Sequence, residues 1–147
     1  MSEFSKSDYK YFDLARREAM NSTYNGFKLG AVIVYKGHVI SRGHNSNKTN
    51  PMQKKYNQKY RTFRRGEKPV NHSLHAEMDS IINIPKCIDV NMDYAKAKIY
   101  IYRISPGKRL GLGLASPCPA CRHALRDKGF RDIYYTTDDG FAHERFF

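Results

Sequence analysis

Two short stretches of the sequence decide the fold: PCPAC at residues 117–121 and HAE at residues 75–77. Each stands where a helix is predicted to begin. Cys118 and Cys121 are three residues apart, so their thiols lie on one helix face and can bind one metal ion. His75 can supply a third ligand from the other helix. Three protein ligands leave one tetrahedral position for water, the arrangement of a catalytic zinc site.

Glu77 is a candidate for proton transfer at this site. On a regular helix its side chain would diverge from that of His75 by about 200°, but at the first turn both can lean across the helix end. A carboxylate beside a water on the metal is suited to moving protons rather than to ligation. Two other interpretations remain open, since Cys87 can complete a structural Cys₃His zinc site and C-x-x-C also occurs in redox sites.

Around these stretches the sequence predicts alternating helices and strands. The predicted elements are a helix over 7–20, a strand over 29–35 that begins a hairpin around residues 36–37, a helix over 75–83, a strand over 98–104, a helix over 118–128 and a strand over 131–137 followed by a turn at 138–140. Ser7 or Asp8 is the expected cap of the first helix. The first strand is nearly all apolar, which is typical of a strand covered on both faces. Helices between the later strands indicate an α/β/α fold.

The composition bounds the class of protein. The chain has 147 residues, enough for one domain over 1–147, with 40% apolar residues and a formal charge of +12 that favours anionic partners. The longest apolar stretches are far shorter than a membrane span, and the N-terminus lacks the apolar region of a secretory signal. Three cysteines do not suit a disulfide framework. We therefore expect a cytoplasmic protein with no membrane partner.

A basic segment covers residues 47–71. It has eight Lys and Arg against one acid, Glu67, and so carries +7 of the total charge. The basic residues are Lys48, Lys54, Lys55, Lys59, Arg61, Arg64, Arg65 and Lys68, and the aromatic residues between them are Tyr56, Tyr60 and Phe63. The segment is either a solvated face or a phosphate-binding insertion, over 48–71, near the mouth of the pocket. The second interpretation admits nucleic acid as a partner through residues 48–68.

The two motifs together, H-x-E followed by P-C-x-x-C, resemble the signature of the cytidine/deoxycytidylate deaminase superfamily. Residues 24–31, YNGFKLGA, look like the Y-x-x-F-x-V-G-A that leads into the first strand of cytidine deaminases. Residues 43–45, GHN, fall where the family carries G-x-N. The resemblance covers most of the chain. It implies a three-layer α/β/α fold with a central mixed sheet, a zinc cofactor and hydrolytic deamination of a nucleobase.

The resemblance also implies roles for individual residues. His75, Cys118 and Cys121 would hold Zn²⁺, while Glu77 accepts a proton from water and passes protons to the ring nitrogen and the departing ammonia. The implied substrate-binding residues are Asn45 for the sugar or base, the Ala76 backbone against the ring, Ser116 in the cysteine loop, and Phe27, which suits a plain core position equally well. Family members commonly form homo-oligomers, so we expect one here.

Three positions bear on the substrate. His75 as first ligand resembles deoxycytidylate, tRNA adenosine and polynucleotide-editing cytidine deaminases, whereas small free-cytidine deaminases usually have Cys there. Asn47 stands where the free-cytidine enzymes often carry a sugar-binding Glu, and Ser116 where deoxycytidylate and tRNA deaminases often carry Glu. We predict cytosine in a free (deoxy)cytidine nucleotide or nucleoside as the substrate. The alternatives are a polynucleotide deaminase (tRNA adenosine or single-stranded cytidine) and an inert nucleic-acid-binding module with structural zinc.

Overall fold

The computed structural model describes residues 4–24, 26–61, 72–108 and 110–146. Its strands are β1 (Lys28–Tyr35), β2 (His38–His44), β3 (Ala97–Ile104), β4 (Asp132–Thr137) and β5 (Gly140–Arg145). Its helices are α1 (Lys6–Ala19), α2 (Pro51–Tyr60), α3 (Ala76–Ile82), α4 (Lys86–Asp89) and α5 (Pro119–Lys128), with a 3₁₀ turn at Tyr94–Lys96.

The strands form one mixed sheet in the order β2-β1-β3-β4-β5. β3 and β4 are parallel, and the other neighbours are antiparallel. A parallel pair needs a crossover connection, and α5 lies within the connection between β3 and β4. The mixed sheet confirms the predicted sheet type.

Helices cover both faces of the sheet. Because side chains alternate along a strand, Val32 and Val34 of β1 pack on the side of Phe12 in α1, while Ala31 and Ile33 pack on the side of α3 and α5. All four β1 side chains are buried. This arrangement confirms the three-layer α/β/α fold and the prediction that the first strand is covered on both faces.

Two glycines set how closely the helices approach the sheet. A Cβ added to Gly30 would lie 2.1 Å from the carbonyl oxygen of Ala15 in α1. A Cβ added to Gly43 would lie 2.3 Å from the backbone nitrogen of Ser80 and 2.6 Å from the carbonyl oxygen of Ala76, both in α3. Only a residue without a side chain fits at these contacts, and the contact at Gly43 fixes the height of α3 above β2.

Several predicted elements are present with small shifts. Lys36 and Gly37 have positive φ angles of 49° and 80°, as a two-residue hairpin turn requires. The helix predicted at 75–83 spans Ala76–Ile82, and the one predicted at 118–128 ends before Gly129, whose φ is 112°. The expected cap of α1 was wrong: Ser5 is the cap, because its hydroxyl accepts the backbone N–H of Asp8 and the Asp8 carboxylate accepts that of Ser5.

The sequence interpretation missed α2, α4, the 3₁₀ turn and β5, so the predicted order of elements was incomplete. Helix α2 has the polar sequence PMQKKYNQKY and buries Gln53 and Asn57 rather than an apolar stripe. Strand β5 is an edge strand with no fully buried residue, so it lacks the alternation of a half-buried strand. The predicted turn at 138–140 is present and leads into β5.

The description of the basic segment stops at residue 61. Phe63, Arg64, Arg65, Glu67 and Lys68 lie outside the described residues. The backbone N–H of Leu74, which follows the segment, donates to the carbonyl of Lys48 at 2.9 Å, so a hydrogen bond joins the chain on either side of the undescribed residues. That a single domain covers residues 1–147 stays a prediction.

Candidate active site

Two helix starts bring three candidate metal ligands together. His75 is the N-cap of α3, Cys118 is the N-cap of α5, and Cys121 lies in the first turn of α5. The Nδ1 atom of His75 is 3.6 Å from the Sγ of Cys118 and 3.4 Å from the Sγ of Cys121. A tetrahedral zinc site with usual bond lengths places sulfur and nitrogen about 3.5 Å apart. The group therefore has the dimensions of a zinc site.

The charges in this group also suit a cation. A hydrogen bond from the Cys121 thiol, helped by His75 and opposed by burial, lowers the pKa of Cys118 to about 4. The hydrogen bond to Cys118, together with burial, raises the pKa of Cys121 well above its ordinary value. Two neighbouring thiolates, of which that of Cys121 is buried, repel each other unless a cation lies between them. Zinc would stabilise both, so the residues present fit this metal.

Glu77 adds a buried acid to the same place. It lies in the first turn of α3 and is 4% exposed. Burial raises its pKa, and the nearby charge of His75 offsets only part of that effect. Within the described part of the chain its Oε1 atom has no hydrogen-bond partner. A buried carboxylate oxygen without a partner costs free energy unless a ligand meets it.

A polar network on α2 supports the first metal-binding residue. The backbone N–H of His75 donates to Oε1 of Gln53 at 3.1 Å. The Gln53 amide donates to Oδ1 of Asn57 at 3.0 Å, and the Asn57 amide is 3.2 Å from Nδ1 of His72. Gln53 and Asn57 are both fully buried. The sequence interpretation missed this network, because it considered only the charges and aromatic rings of the segment.

A cavity of about 170 Å³ opens in front of the metal-binding group. Its wall includes His75, Glu77 and Cys118 together with three predicted substrate-binding residues, Phe27, Asn45 and Ser116. The fourth predicted residue, Ala76, is fully buried and does not line this cavity. The cavity wall also contains residues that the sequence interpretation missed, namely Tyr24, Leu29, Ser73, Leu74, Arg103, Leu114 and Ala115.

Asn45 is more strongly tied to the protein than the sequence suggested. Its Oδ1 accepts the backbone N–H of Leu29 at 2.9 Å and the hydroxyl of Ser22 at 2.5 Å. Its amide donates to the carbonyl of Phe27 at 3.0 Å. These bonds fix the start of β1 beside the cavity. One amide hydrogen of Asn45 has no partner among the residues described, and it is the part left for a ligand.

Ser116 is oriented by a pair of residues from α5 and β5. Its hydroxyl oxygen accepts from Nη2 of Arg122 at 2.6 Å, and Arg122 forms an ion pair with Glu144. Because its oxygen accepts that bond, the Ser116 hydroxyl hydrogen remains available as a donor. Glu144 lies on the strand that sequence reasoning missed, so this arrangement could not be read from the motif.

The basic residues of α2 and the third cysteine lie apart from the cavity. Lys54, Lys55 and Lys59 are exposed and do not line it. Cys87 is exposed on α4 and does not belong to the group formed by the other two cysteines and His75. This geometry disfavours the Cys₃His alternative. In the part of the chain that is described, no helix has the length and apolar character to cross a membrane.

The fold and this site define a class. A three-layer α/β/α protein with a His-Cys-Cys metal group and a buried glutamate in one cavity has the active-site residues of a zinc-dependent base deaminase. The family described as "Cytidine and deoxycytidylate deaminase zinc-binding region" matches residues 5–137. The chain belongs to this family, it is a zinc-dependent nucleobase deaminase, and zinc is its cofactor. The predicted family, enzyme class and cofactor are thereby confirmed.

Solved structures share the fold at low sequence identity. Cytidine deaminase from Burkholderia pseudomallei is 15% identical, with a TM-score of 0.58 and coverage of 99% of this chain and 93% of that chain. The dCMP deaminase from cyanophage S-TIM5 in apo form is 19% identical, with a TM-score of 0.57 and coverage of 93% and 86%. The structure of that enzyme in complex with dCMP and dUMP is 17% identical in sequence, with a TM-score of 0.53 and coverage of 92% of this chain and 85% of that chain. No curated protein sequence matches the chain.

Proposed function

We propose that this enzyme hydrolyses the amino group of cytosine in a free (deoxy)cytidine nucleotide or nucleoside. Water adds to the ring carbon that bears the amino group, the carbon–nitrogen bond breaks, and ammonia leaves, so that cytosine becomes uracil. The observation that carries the proposal is the unpartnered Oε1 atom of Glu77, buried in one cavity wall with His75 and Cys118.

Each residue of the site has a part in this reaction. His75, Cys118 and Cys121 would hold zinc, which supplies a Lewis acid that lowers the pKa of water in the cavity. Glu77 accepts the proton of the water and delivers it to the ring nitrogen. A second transfer through Glu77 protonates the departing amine. Burial keeps these transfers away from bulk solvent.

The remaining walls can hold a pyrimidine. The Phe27 ring lines the cavity and is 39% exposed, so it offers a face on which a flat base can stack. The Ser116 hydroxyl donates to a carbonyl oxygen of the base, and the remaining amide hydrogen of Asn45 donates to the base or sugar. The placement of Ala76 suggests that its part is to set the spacing of His75 and Glu77 rather than to face the ring.

Cytosine and a free nucleotide or nucleoside are favoured for two reasons. Two proteins that share the fold are by name a cytidine deaminase and a dCMP deaminase. The exposed lysines of α2 do not line the cavity, which weakens the case for a polynucleotide laid across the described part of the basic segment. A cavity of about 170 Å³ suits a single small ring better than an extended strand.

The test is a screen for ammonia release with the zinc-loaded protein. The compounds are cytidine, deoxycytidine, their 5′-monophosphates, the corresponding adenine compounds and a cytosine-rich single-stranded oligonucleotide. Glu77→Gln protein is the blank, and Asp139→Asn, which changes an exposed carboxylate at the β4–β5 turn, is the matched control. We expect uracil products from free cytosine compounds with wild type and Asp139→Asn, and none with the blank. Turnover of adenine alone or of the oligonucleotide alone would overturn the proposed substrate.

A further inference from the structure

Arg103, at the end of β3, carries the one permanent positive charge in the cavity wall as far as the described residues show. The central carbon of its guanidinium lies 4.2 Å from the centroid of the Phe27 ring. Its Nε atom is buried and has no hydrogen-bond partner, and no described carboxylate pairs with it. A buried charged donor without a partner is costly. The described residues therefore supply no anionic partner for the Arg103 guanidinium, and a ligand in the cavity can supply one.

The surrounding backbone holds Arg103 in this place. Its backbone N–H donates to the Thr136 hydroxyl at 3.1 Å, and its carbonyl accepts the N–H of Gly113 at 3.2 Å. A Cβ added to Gly113 would lie 2.8 Å from the Arg103 Cδ and 2.9 Å from its Nε. Gly113 therefore leaves the space that the side chain occupies, and the Phe27 ring packs against the guanidinium.

Arg103 also stands at the border between two cavities. A second, more open basin of about 440 Å³ shares Phe27 and Arg103 with the cavity in front of the metal-binding group. Lys28 and Lys108 line this basin, and Lys108 lies 3.7 Å from the Asp138 carboxylate. A ligand with its base against Glu77 would extend toward this basin. The far end of such a ligand meets positive charge.

We propose that Arg103 binds the phosphate of the substrate and makes this enzyme selective for a nucleoside monophosphate over the free nucleoside. The inference rests on the proposed function, whose substrate it specifies. A planar guanidinium donates two parallel hydrogen bonds to phosphate oxygens, which a neutral sugar hydroxyl cannot match. A nucleoside would leave the guanidinium without an anionic partner, whereas a phosphate pairs with its charge and is attracted by Lys28 as well.

The experiment compares kcat and KM for deoxycytidine and its 5′-monophosphate in three proteins. These are wild type, Arg103→Gln, and Arg17→Gln, which removes an exposed arginine from α1 on the other face of the sheet. We expect Arg103→Gln to lower kcat/KM for the monophosphate about 10- to 100-fold, mainly through KM, as loss of hydrogen bonds to a charged group predicts. Turnover of deoxycytidine should change less than twofold, and Arg17→Gln should change neither substrate.

A binding measurement separates this inference from the proposed reaction. Titration calorimetry of Glu77→Gln protein with deoxyuridine and with deoxyuridine 5′-monophosphate needs no turnover. The monophosphate should bind at least about tenfold more tightly, and adding Arg103→Gln should remove that preference. If no cytosine compound is deaminated but this preference is present, the proposed reaction fails and the phosphate site stands.

Two results would overturn the inference. One is equal affinity of the two uracil compounds, and the other is an Arg103→Gln variant that weakens both equally. Arg103→Lys is the second variant, should Arg103→Gln unfold in a thermal melt. It keeps the charge but loses the planar pair of donors, so we expect it to retain part of the preference for the monophosphate. Full loss of both affinities in Arg103→Lys would also contradict the inference.

Discussion

Among the described residues, each face of the sheet buries one carboxylate on a helix, and the two carboxylates differ in their hydrogen bonds and in their pKa shifts. Asp8 of α1 accepts hydrogen bonds from the Tyr100 hydroxyl at 2.5 Å and from the backbone N–H of Ser5 at 2.9 Å. Glu77 of α3 has an oxygen with no partner among the residues described. Burial acts to raise both pKa values, but the hydrogen bonds of Asp8 lower its pKa, whereas the pKa of Glu77 stays raised.

We infer from this difference that Asp8 is a structural acid and that Glu77 is the functional one. Asp8 closes the capping box of α1 and binds Tyr100 in the core, so its interactions are complete within the protein. Glu77 lines a cavity next to His75 and Cys118. Its Oε1 atom has no hydrogen-bond partner among the described residues, so a ligand has to supply one. Changes near Glu77 should therefore affect zinc and turnover, and changes near Asp8 should affect stability.

The largest effect is expected from removal of a metal ligand on the Glu77 side. Cys121→Ala deletes one of the three proposed ligands, so zinc content should fall from one ion per chain to near zero and turnover should be lost. Cys87→Ser is the matched control and should keep one zinc and full turnover, because Cys87 is exposed on α4. Metal analysis after gel filtration measures both. A zinc-free Cys87→Ser protein would show that the Cys₃His alternative was right.

The next largest effect is expected from a substitution at the contact between α3 and β2, and it concerns stability. In Gly43→Ala the new Cβ meets backbone atoms of α3 that cannot move aside, so we expect a loss of about 3 kcal/mol in the free energy of unfolding. Gly107→Ala is the control, since its Cβ would meet nothing within 4 Å, and it should change stability by less than about 0.5 kcal/mol. Equal urea midpoints for the two variants would refute the close approach.

Loss of the Gln53–Asn57 network on α2 should affect the face of the sheet that carries Glu77 and not the face that carries Asp8. Gln53→Ala leaves the part-buried backbone N–H of His75 without its acceptor, which should cost about 1–3 kcal/mol in the free energy of unfolding. The affinity for zinc should fall as well, because the residue that bears the first ligand is less well held. Gln58→Ala, an exposed change on the same helix, should do neither. Zinc competition with a chelator dye, together with urea unfolding, checks this prediction.

The smallest effect concerns the acid stability that Asp8 provides. Because its folded pKa lies below the ordinary value of 3.8, its stabilisation is present above that value and is lost as pH falls through the folded pKa. The urea midpoint of wild type should drop between about pH 5 and pH 3, and that of Asp8→Asn should start lower and drop less. Parallel pH dependence in the two proteins would show that Asp8 does not provide this stabilisation.

The metal-binding part of the site could be predicted because its chemistry is local in the sequence. The spacing of Cys118 and Cys121 and the position of His75 at a helix start are set by a few adjacent residues. Strand β1 could be predicted for a similar reason, since its apolar run reflects burial on both faces. The boundaries shifted by about one residue, because both helices begin immediately after a metal-binding residue rather than at it.

Arg103 and the buried face of α2 could not be predicted in this way. Arg103 gains its place from Phe27 and Gly113, which come from two distant segments, and a single arginine at a strand end carries no signal of its own. Helix α2 buries Gln53, which accepts a hydrogen bond from the backbone N–H of His75 and donates one to Asn57, so no apolar pattern marks its inner face. The charge pattern of the segment reports only the exposed side of α2, where its lysines lie.

The central claim is that Glu77, and not the other buried acid, moves the protons of the reaction. Its most direct test is single-turnover deamination by Glu77→Gln and Asp8→Asn proteins, each with its zinc content measured. We predict that Glu77→Gln keeps one zinc per chain and its urea midpoint while turnover falls by at least about 10²–10⁴-fold. Asp8→Asn should lose stability and keep turnover per zinc. Turnover of Glu77→Gln within a fewfold of wild type would contradict the account.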